Sequence, residues 1–372
     1  MPTASSTDSL IELHCIDQMQ QVIRPLTPDW ATHDAYWDVS TGLVTTMDML
    51  VEGQHFRRDT HTPFDIGWKA IAVNLSDLAA TLATPLWVTV ALGLPTAVAC
   101  DSDWVGECYQ GMQACLDAYG GAIIGGDTVA SPVLTLAVTA VGKVSVPVVG
   151  RRTGATPGDW VIATGAFGHS AAGFQCLEAL CRASANADTV AGLPEPWAGY
   201  VQRHRQPVPQ CHAAKVLRDW TILEQETPLG DSPREICMMD ASDGLADVVL
   251  RLAQLNAVDV VLNAEALPEW LGLVLAADST PIGWVLPVEN STEARHAWAL
   301  DTLLYGGEDF ELVACIPEPQ AGILPEPLCA VGWRHIGVVN TATASRAVGG
   351  MVLPDGQRLL LDPEKRYQHF RR

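Results

Sequence analysis

Basic residues are scarce in this chain. Its 372 residues carry 22 Lys and Arg against 43 Asp and Glu, a formal net charge of −21. Neutralising the phosphates of a nucleic acid needs the opposite sign, so the balance argues against DNA or RNA as a partner. It also makes a direct grip on an anionic ligand costly unless cations intervene. Cysteine pairs are missing as well. Ten cysteines are scattered with no Cys-x-x-Cys, which argues against zinc ribbons and redox motifs and for reduced thiols in a cytosol-like compartment. There is no Walker A loop, no EF-hand loop, no thiol-nucleophile motif, no internal repeat and no low-complexity tract. The first residues, MPTASSTDSLIELHC, lack the basic start and apolar run of a secretion signal, and a cytoplasmic location is expected. No stretch reads as a membrane span. The charge-free segment between Asp77 and Asp101 is cut by Pro85 and Pro95 and carries Thr81, Thr84, Thr89 and Thr96. It reads as the end of a buried helix followed by a buried strand.

What is present describes a well-buried globular protein, 48% hydrophobic and 17% charged. The length favours two domains. The Pro-, Gly- and Arg-rich run "VPVVGRRTGATPGDW" places their boundary near Gly150, giving units 1–150 and 151–372. Strand-like and helix-like segments alternate in the first half: a strand at 42–50, a helix at 64–83, a strand "LWVTVALGL", a helix at 103–120, then strands "AIIGGD" and "LTLAVTAVGKV". The second half restarts with a strand "DWVIATG" and a helix "SAAGFQCLEALCR". A loop-rich stretch is expected over about 184–210, then a strand–helix junction at 235–249, a strand "DVVLNAEALP", the segment "LLYGGEDFELVACI" and a closing strand "RHIGVV". The expected class is α/β or α+β, with mixed sheets carrying helices on one face.

Acids recur at the ends of the apolar segments: Asp34, Asp48, Asp77, Asp127, and Asp240 with Asp243 in "MMDASDGLADV". Each has an ordinary reading as a turn residue, and Ser242 or Asp243 also suits the cap of the following helix. Asp77 is harder to explain that way, because its flanks are apolar and a buried carboxylate needs a cation or a donor. Read together, the acids are expected to converge on hard divalent cations of the Mg²⁺ type, which take oxygen ligands and share them with phosphates. Like charges 4 Å apart repel by about 4 kcal/mol at an effective dielectric near 20, so an acidic phosphate site makes sense only with bridging metal. The glycine turns "GGDT" and "TGAFGHS" suit close approach of backbone N–H groups to phosphate, or are plain turns. Lys69 and Arg152 are the few bases placed to help.

Taken in order, "TTMDMLVEGQHF", "GWKAIAVNLSDLAA", "GGDT", "RRTGATPGDWVIATGAFGHSAAG", "MMDASDGLADV", "LYGGEDFEL" and the terminal "YQHF" resemble thiamine-monophosphate kinase. That family lies within the superfamily that includes aminoimidazole ribonucleotide synthetase. The resemblance implies a synthetase-like two-domain fold: residues 1–150 bind ATP and metal and pair with a second subunit, and residues 151–372 close over nucleotide and substrate. It implies direct transfer of the γ-phosphoryl group of ATP to thiamine monophosphate, with Mg²⁺, no covalent phospho-enzyme, and a monovalent cation as a further candidate.

By the same resemblance Asp34, Thr46, Asp48, Asp77, Asp127, Asp240 and Asp243 hold magnesium, Asp240 and Asp243 being the catalytic pair. Tyr109, Gly126, Asp127, Arg152 and Ser242 contact ATP, and His55, Glu308 and Tyr367 face thiamine monophosphate. Three positions depart from the family pattern. Thr32-His33-Asp34-Ala35-Tyr36 replaces Gly-Asp-Asp-Ala-Ala, Met47 replaces a hydroxyl residue with a thioether, a poor partner for Mg²⁺, and His169 replaces an Asp. Rival readings are another synthetase of the superfamily and a non-catalytic homodimer that senses nucleotide or thiamine phosphates. A selenophosphate synthetase is disfavoured by the lack of an N-terminal Cys-rich or Gly-Lys loop.

Overall fold

The computed structural model describes residues 18–19, 33–144, 148–182, 192–223, 234–279, 291–343 and 347–366. Two mixed sheets organise it. The first has the order β1-β2-β5-β3-β4, built from β1 (Tyr36–Asp38), β2 (Leu43–Val51), β3 (Thr84–Leu94), β4 (Ile123–Ala130) and β5 (Thr135–Lys143). Only the β3–β4 pairing is parallel. Along β2 the side chains alternate. Val44, Thr46 and Leu50 are buried against helix α1 (Pro63–Ala80), whereas Thr45, Met47 and Met49 are exposed on the other face. The expected strands and helices of the first half are all present.

Helix α1 starts with a capping box between Thr62 and Asp65 and has Pro63 in its first turn. Fourteen of its residues are buried. A helix apolar on nearly every side belongs inside, and α1 lies against β2 and β5 on one side and against the second sheet on the other. Helix α2 (Ser102–Tyr119) presses close to it. A Cβ on Gly67 would sit 1.8 Å from Cys108 O, and one on Gly111 would sit 2.0 Å from Phe64 O. Both glycines are therefore fixed by backbone contact.

The second sheet has the order β13-β12-β9-β11-β7-β10-β8-β6. Its strands are β6 (Val148–Arg151), β7 (Trp160–Ala163), β8 (Arg234–Asp240), β9 (Val258–Asn263), β10 (Leu312–Ile316), β11 (Arg334–Thr341), β12 (Gly349–Val352) and β13 (Arg358–Leu360). Helices α3 (His169–Arg182), α4 (Trp197–Arg205), α5 (Cys211–Leu223), α6 (Leu245–Asn256), α7 (Glu269–Ser279) and α8 (Thr292–Tyr305) pack around it. Two expectations are corrected. The stretch expected to be loop-rich contains α4, whose Trp197, Tyr200 and Val201 enter the core; residues 183–191 lie outside the described residues. The strand "RHIGVV" does not close the chain, because β12 and β13 follow it. Among the described residues no helix is long and apolar enough to cross a membrane.

Candidate active site

Helix α1 is the element from which the site is built. Its C-terminal half brings Asn74, Ser76 and Asp77 to the sequence "DASDG" at the end of β8 and to Thr46 and Asp48 on β2. Asn74 takes a backbone bond from Asp48 N at its Oδ1 (2.9 Å). Thr46 Oγ1 donates to Asp77 Oδ2 at 2.6 Å, and Ser76 Oγ donates to Asp240 Oδ2 at 2.7 Å. One carboxylate oxygen each from Asp34, Asp77 and Asp240 lies within 4.8 Å of the others. Repulsion per pair at that separation is about 3 kcal/mol with an effective dielectric near 20. Burial is the main cause that raises Asp77 well above the usual carboxylate range, with Asp48, Asp240 and Asp34 adding to it. Asp240 is pushed to about 7, first by burial and then by Asp34, against the opposing effects of Ser76 and Arg152. Three hard oxygen donors so placed fit a Mg²⁺-type cation, and the strain of holding them together metal-free is what such a cation would relieve.

The surrounding cavity of about 540 Å³ is lined by Asp34, Thr46, Asp48, His55, Asp77, Arg152, Asp240, Ser242, Asp243 and Glu308 among others. Ten of the residues named from sequence are thus brought together. Their immediate partners were not legible in the sequence. Arg152, expected on ATP, donates from Nε to Asp34 Oδ1 at 3.0 Å and pairs with it again through Nη2. Asp243 has Arg251 of α6 at 3.8 Å. Lys69 does not join the carboxylates; it is fully buried, 2.9 Å from His55 O and 2.8 Å from Glu308 Oε1. His55 Nδ1 accepts from Val51 N at 3.1 Å, so the proton of its neutral imidazole is on Nε2.

Three other residues lie elsewhere. Tyr109 is on α2, half-buried against the first core, and does not line the cavity. Gly126 and Asp127 are on the exposed edge strand β4. Gly126 is required there by packing, since a Cβ would stand 1.9 Å from Val90 O. Asp127 is in register with Ala91, Ala137 and Met49, the row that faces away from α1. Three strand spacings put it about 14 Å from β2. Met47 also faces that way, 62% exposed, so its thioether stands on the opposite face from Thr46 and Asp48. His169 opens α3, its ring 4.6 Å from that of Tyr200, and burial pulls its pKa down to about 4. Tyr367 and Thr32 lie outside the described residues.

Comparison with known proteins fits this arrangement. Residues 32–144 match the family model "AIR synthase related protein, N-terminal domain". The thiamine-monophosphate kinase of Synechococcus elongatus is 37% identical over 329 residues, 88% of this chain and 86% of that one. The chain belongs to the thiamine-monophosphate kinase family. The Escherichia coli K12 member of the family is 33% identical over 332 residues, again 88% and 86% of the two chains. A solved structure described as AaThiL complexed with AMPPCP and TMP superposes with a TM-score of 0.71 at 25% identity, covering 99% of this chain and 100% of that one. Thiamine-monophosphate kinase family membership therefore rests on both halves of the chain, while the family model spans the first.

Proposed function

We propose that this chain transfers the γ-phosphoryl group of ATP to the phosphate of thiamine monophosphate, giving thiamine diphosphate. The observation that carries the reading is one cavity lined both by the Asp34, Asp77 and Asp240 cluster and by His55 and Glu308. The named relatives, and the AMPPCP (an ATP analogue) and TMP bound in the similar structure, support the same pair of substrates.

The attacking group is a phosphate oxygen, already ionised at neutral pH, so no general base is needed. The task is to hold two anions in line and away from water. His55 Nε2–H is a donor for an anionic oxygen of the substrate. Glu308 offers its carboxylate to the cationic thiazolium ring, and Phe56, Phe174 and Phe310 wall the cavity. Asp34, Asp48, Asp77, Asp240 and Asp243, with Thr46, would hold Mg²⁺. Bound there, it supplies the charge neutralisation that two phosphorylated reactants require. Arg152 and Ser242 line the same cavity and are assigned to ATP.

A homodimer belongs to the same proposal. Among the described residues no element covers the face of the first sheet that carries Met47, Met49 and Asp127, and a second copy stacked there is the proposed occupant, with Asp127 kept as a metal ligand on the family resemblance alone. Tyr109 and Gly126 keep their assignment to ATP on the family resemblance alone. The two-domain division near residue 150 is supported by the sheets themselves, one ending at Lys143 and the other starting at Val148. A cytoplasmic location fits the nine unbridged cysteines among the described residues.

The test is purified protein with ATP, Mg²⁺ and thiamine monophosphate, following thiamine diphosphate by chromatography, with EDTA and K⁺-free controls. Metal-dependent product supports the kinase. ATP binding in calorimetry without product would favour the sensor reading instead.

A further inference from the structure

We propose that Lys69 is a positioning residue for substrate recognition, fixing His55 and Glu308 against one another from behind the cavity wall. The proposal rests on the kinase reading above. Lys69 is among the largest fully buried side chains of the protein, with no exposed surface, and it does not line the cavity. An ammonium group out of water costs several kcal/mol unless its donors are used. Two of them are: one to His55 O at 2.9 Å, one to Glu308 Oε1 at 2.8 Å. Those acceptors come from separate loops, the turn after β2 and the segment before β10. The same helix, about 12 Å further on at 1.5 Å per residue, carries Asp77. One rigid element thus sets the spacing between the carboxylate cluster and the groups that meet the acceptor substrate.

The loop that bears Glu308 needs such a hold. Glu308 has φ +65° and Phe310 φ +54°, a region that side-chain-bearing residues rarely adopt and that strains the backbone. Their N–H groups are strapped to the metal loop, Glu308 N to Ser242 O (2.7 Å) and Phe310 N to Ala241 O (3.1 Å). The backbone is fixed by those bonds; the direction of the carboxylate is fixed by Lys69 on one oxygen and His204 on the other, whose Nδ1 is 3.3 Å from Oε2.

His204 is the second half of the device. It faces Glu308, Ser170 Oγ at 3.1 Å, the His61 ring at 5.2 Å, the Phe174 ring at 5.3 Å, and the charges of Lys69 and Arg205. Burial first and Lys69 next hold it neutral, well below its ordinary value. With Lys69 in place the Glu308 carboxylate is balanced by the ammonium, and His204 only orients it. Without Lys69 the balance passes to His204, which gains a proton as pH falls.

The test compares wild type, Lys69→Met, Glu308→Gln and the double variant. KM is measured for thiamine monophosphate and for ATP from pH 5.5 to 8.5, with calorimetric titration of thiamine monophosphate alongside. For Lys69→Met the expected result is a tenfold or larger rise in KM for thiamine monophosphate. KM for ATP should stay within twofold, and the first KM should acquire a pH dependence beyond that of wild type. The double variant buries no unbalanced charge, so it folds even where Lys69→Met does not. It should show no greater loss than Glu308→Gln alone. Equal rises in both KM values, an unchanged KM for thiamine monophosphate, or additive losses in the double variant would overturn the assignment. A wild type that neither binds nor converts thiamine monophosphate would instead sink the kinase reading, and this proposal with it.

Discussion

Ser76 on α1 donates its hydroxyl to Asp240 at the end of β8, 2.7 Å away and 164 residues on, tying the helix of the first sheet to the Asp240–Gly244 loop of the second. The bond favours the ionised form of a carboxylate that burial and Asp34 push up to about 7 from 3.8. Because the folded pKa is the higher one, folding favours the protonated acid. That contribution is complete below about pH 4 and lost as pH rises through 7. Asp240→Asn removes the penalty along with the ligand. In EDTA at pH 8 the variant is expected to melt a few degrees above wild type, roughly 1–2 kcal/mol, with the gap closing toward pH 5. Mg²⁺ should raise the wild-type Tm and leave the variant's unmoved, while turnover falls at least about a hundredfold. Thermal scans across pH settle it; a variant less stable than metal-free wild type at pH 8 would contradict the cluster's electrostatics.

His55 separates two roles that one substitution can tell apart. Its Nδ1 accepts from Val51 N, a structural bond, and its Nε2–H is assigned to the substrate. His55→Asn keeps an acceptor near the Nδ1 position and removes the Nε2 donor. Its kcat/KM for thiamine monophosphate is expected to drop about 10- to 100-fold, roughly 1.4–2.7 kcal/mol, as for a charge-assisted hydrogen bond. Melting should shift little, whereas His55→Ala loses both bonds and melts lower. Steady-state kinetics with ATP held saturating give the answer.

The alternation of β2 and the apolar run of α1 are local patterns, and both are legible in the sequence. The acids are legible as a group because each ends an apolar segment. Ser76 was missed, although a hydroxyl inside so buried a helix was itself a signal that another element supplies its partner. Lys69 and Asp77 are eight residues apart, near one face of the helix, but spacing does not say that one serves a carboxylate cluster and the other two substrate loops. Arg152 and Asp34 are 118 residues apart, and no local pattern joins them. The place of Asp127 depends on strand register across β4, β3, β5 and β2, which only the folded sheets define.

Met47 looks in the sequence like a damaged metal ligand, yet alternation turns its side chain to the face opposite Thr46 and Asp48. Met47→Thr restores a hydroxyl residue there. If a second copy covers that face, the thioether is an interface group, and the Mg²⁺ concentration for half-maximal activity should change by less than about twofold. A tenfold fall in that concentration would return Met47 to the metal site. Titrating activity with MgCl₂ decides between them.

The face left uncovered among the described residues is open to a direct test. Met49, Ala137, Ala91 and Asp127 form one lateral row across β2, β5, β3 and β4, and Met49 is 53% exposed. A row of that composition stays in water only at a cost of about 25 cal/mol per Å² of apolar surface, which stacking against a copy recovers. Met49→Glu places a charge in the centre of the proposed interface without touching the core on the other side. The variant is expected to sediment as a monomer, to keep its far-UV spectrum, and to lose most turnover, because the family resemblance puts ATP close to the subunit pairing. Mixing it with Asp240→Asn should restore nothing. A monomeric Met49→Glu protein that retains full activity would place the whole site, Asp127 excluded, within one chain.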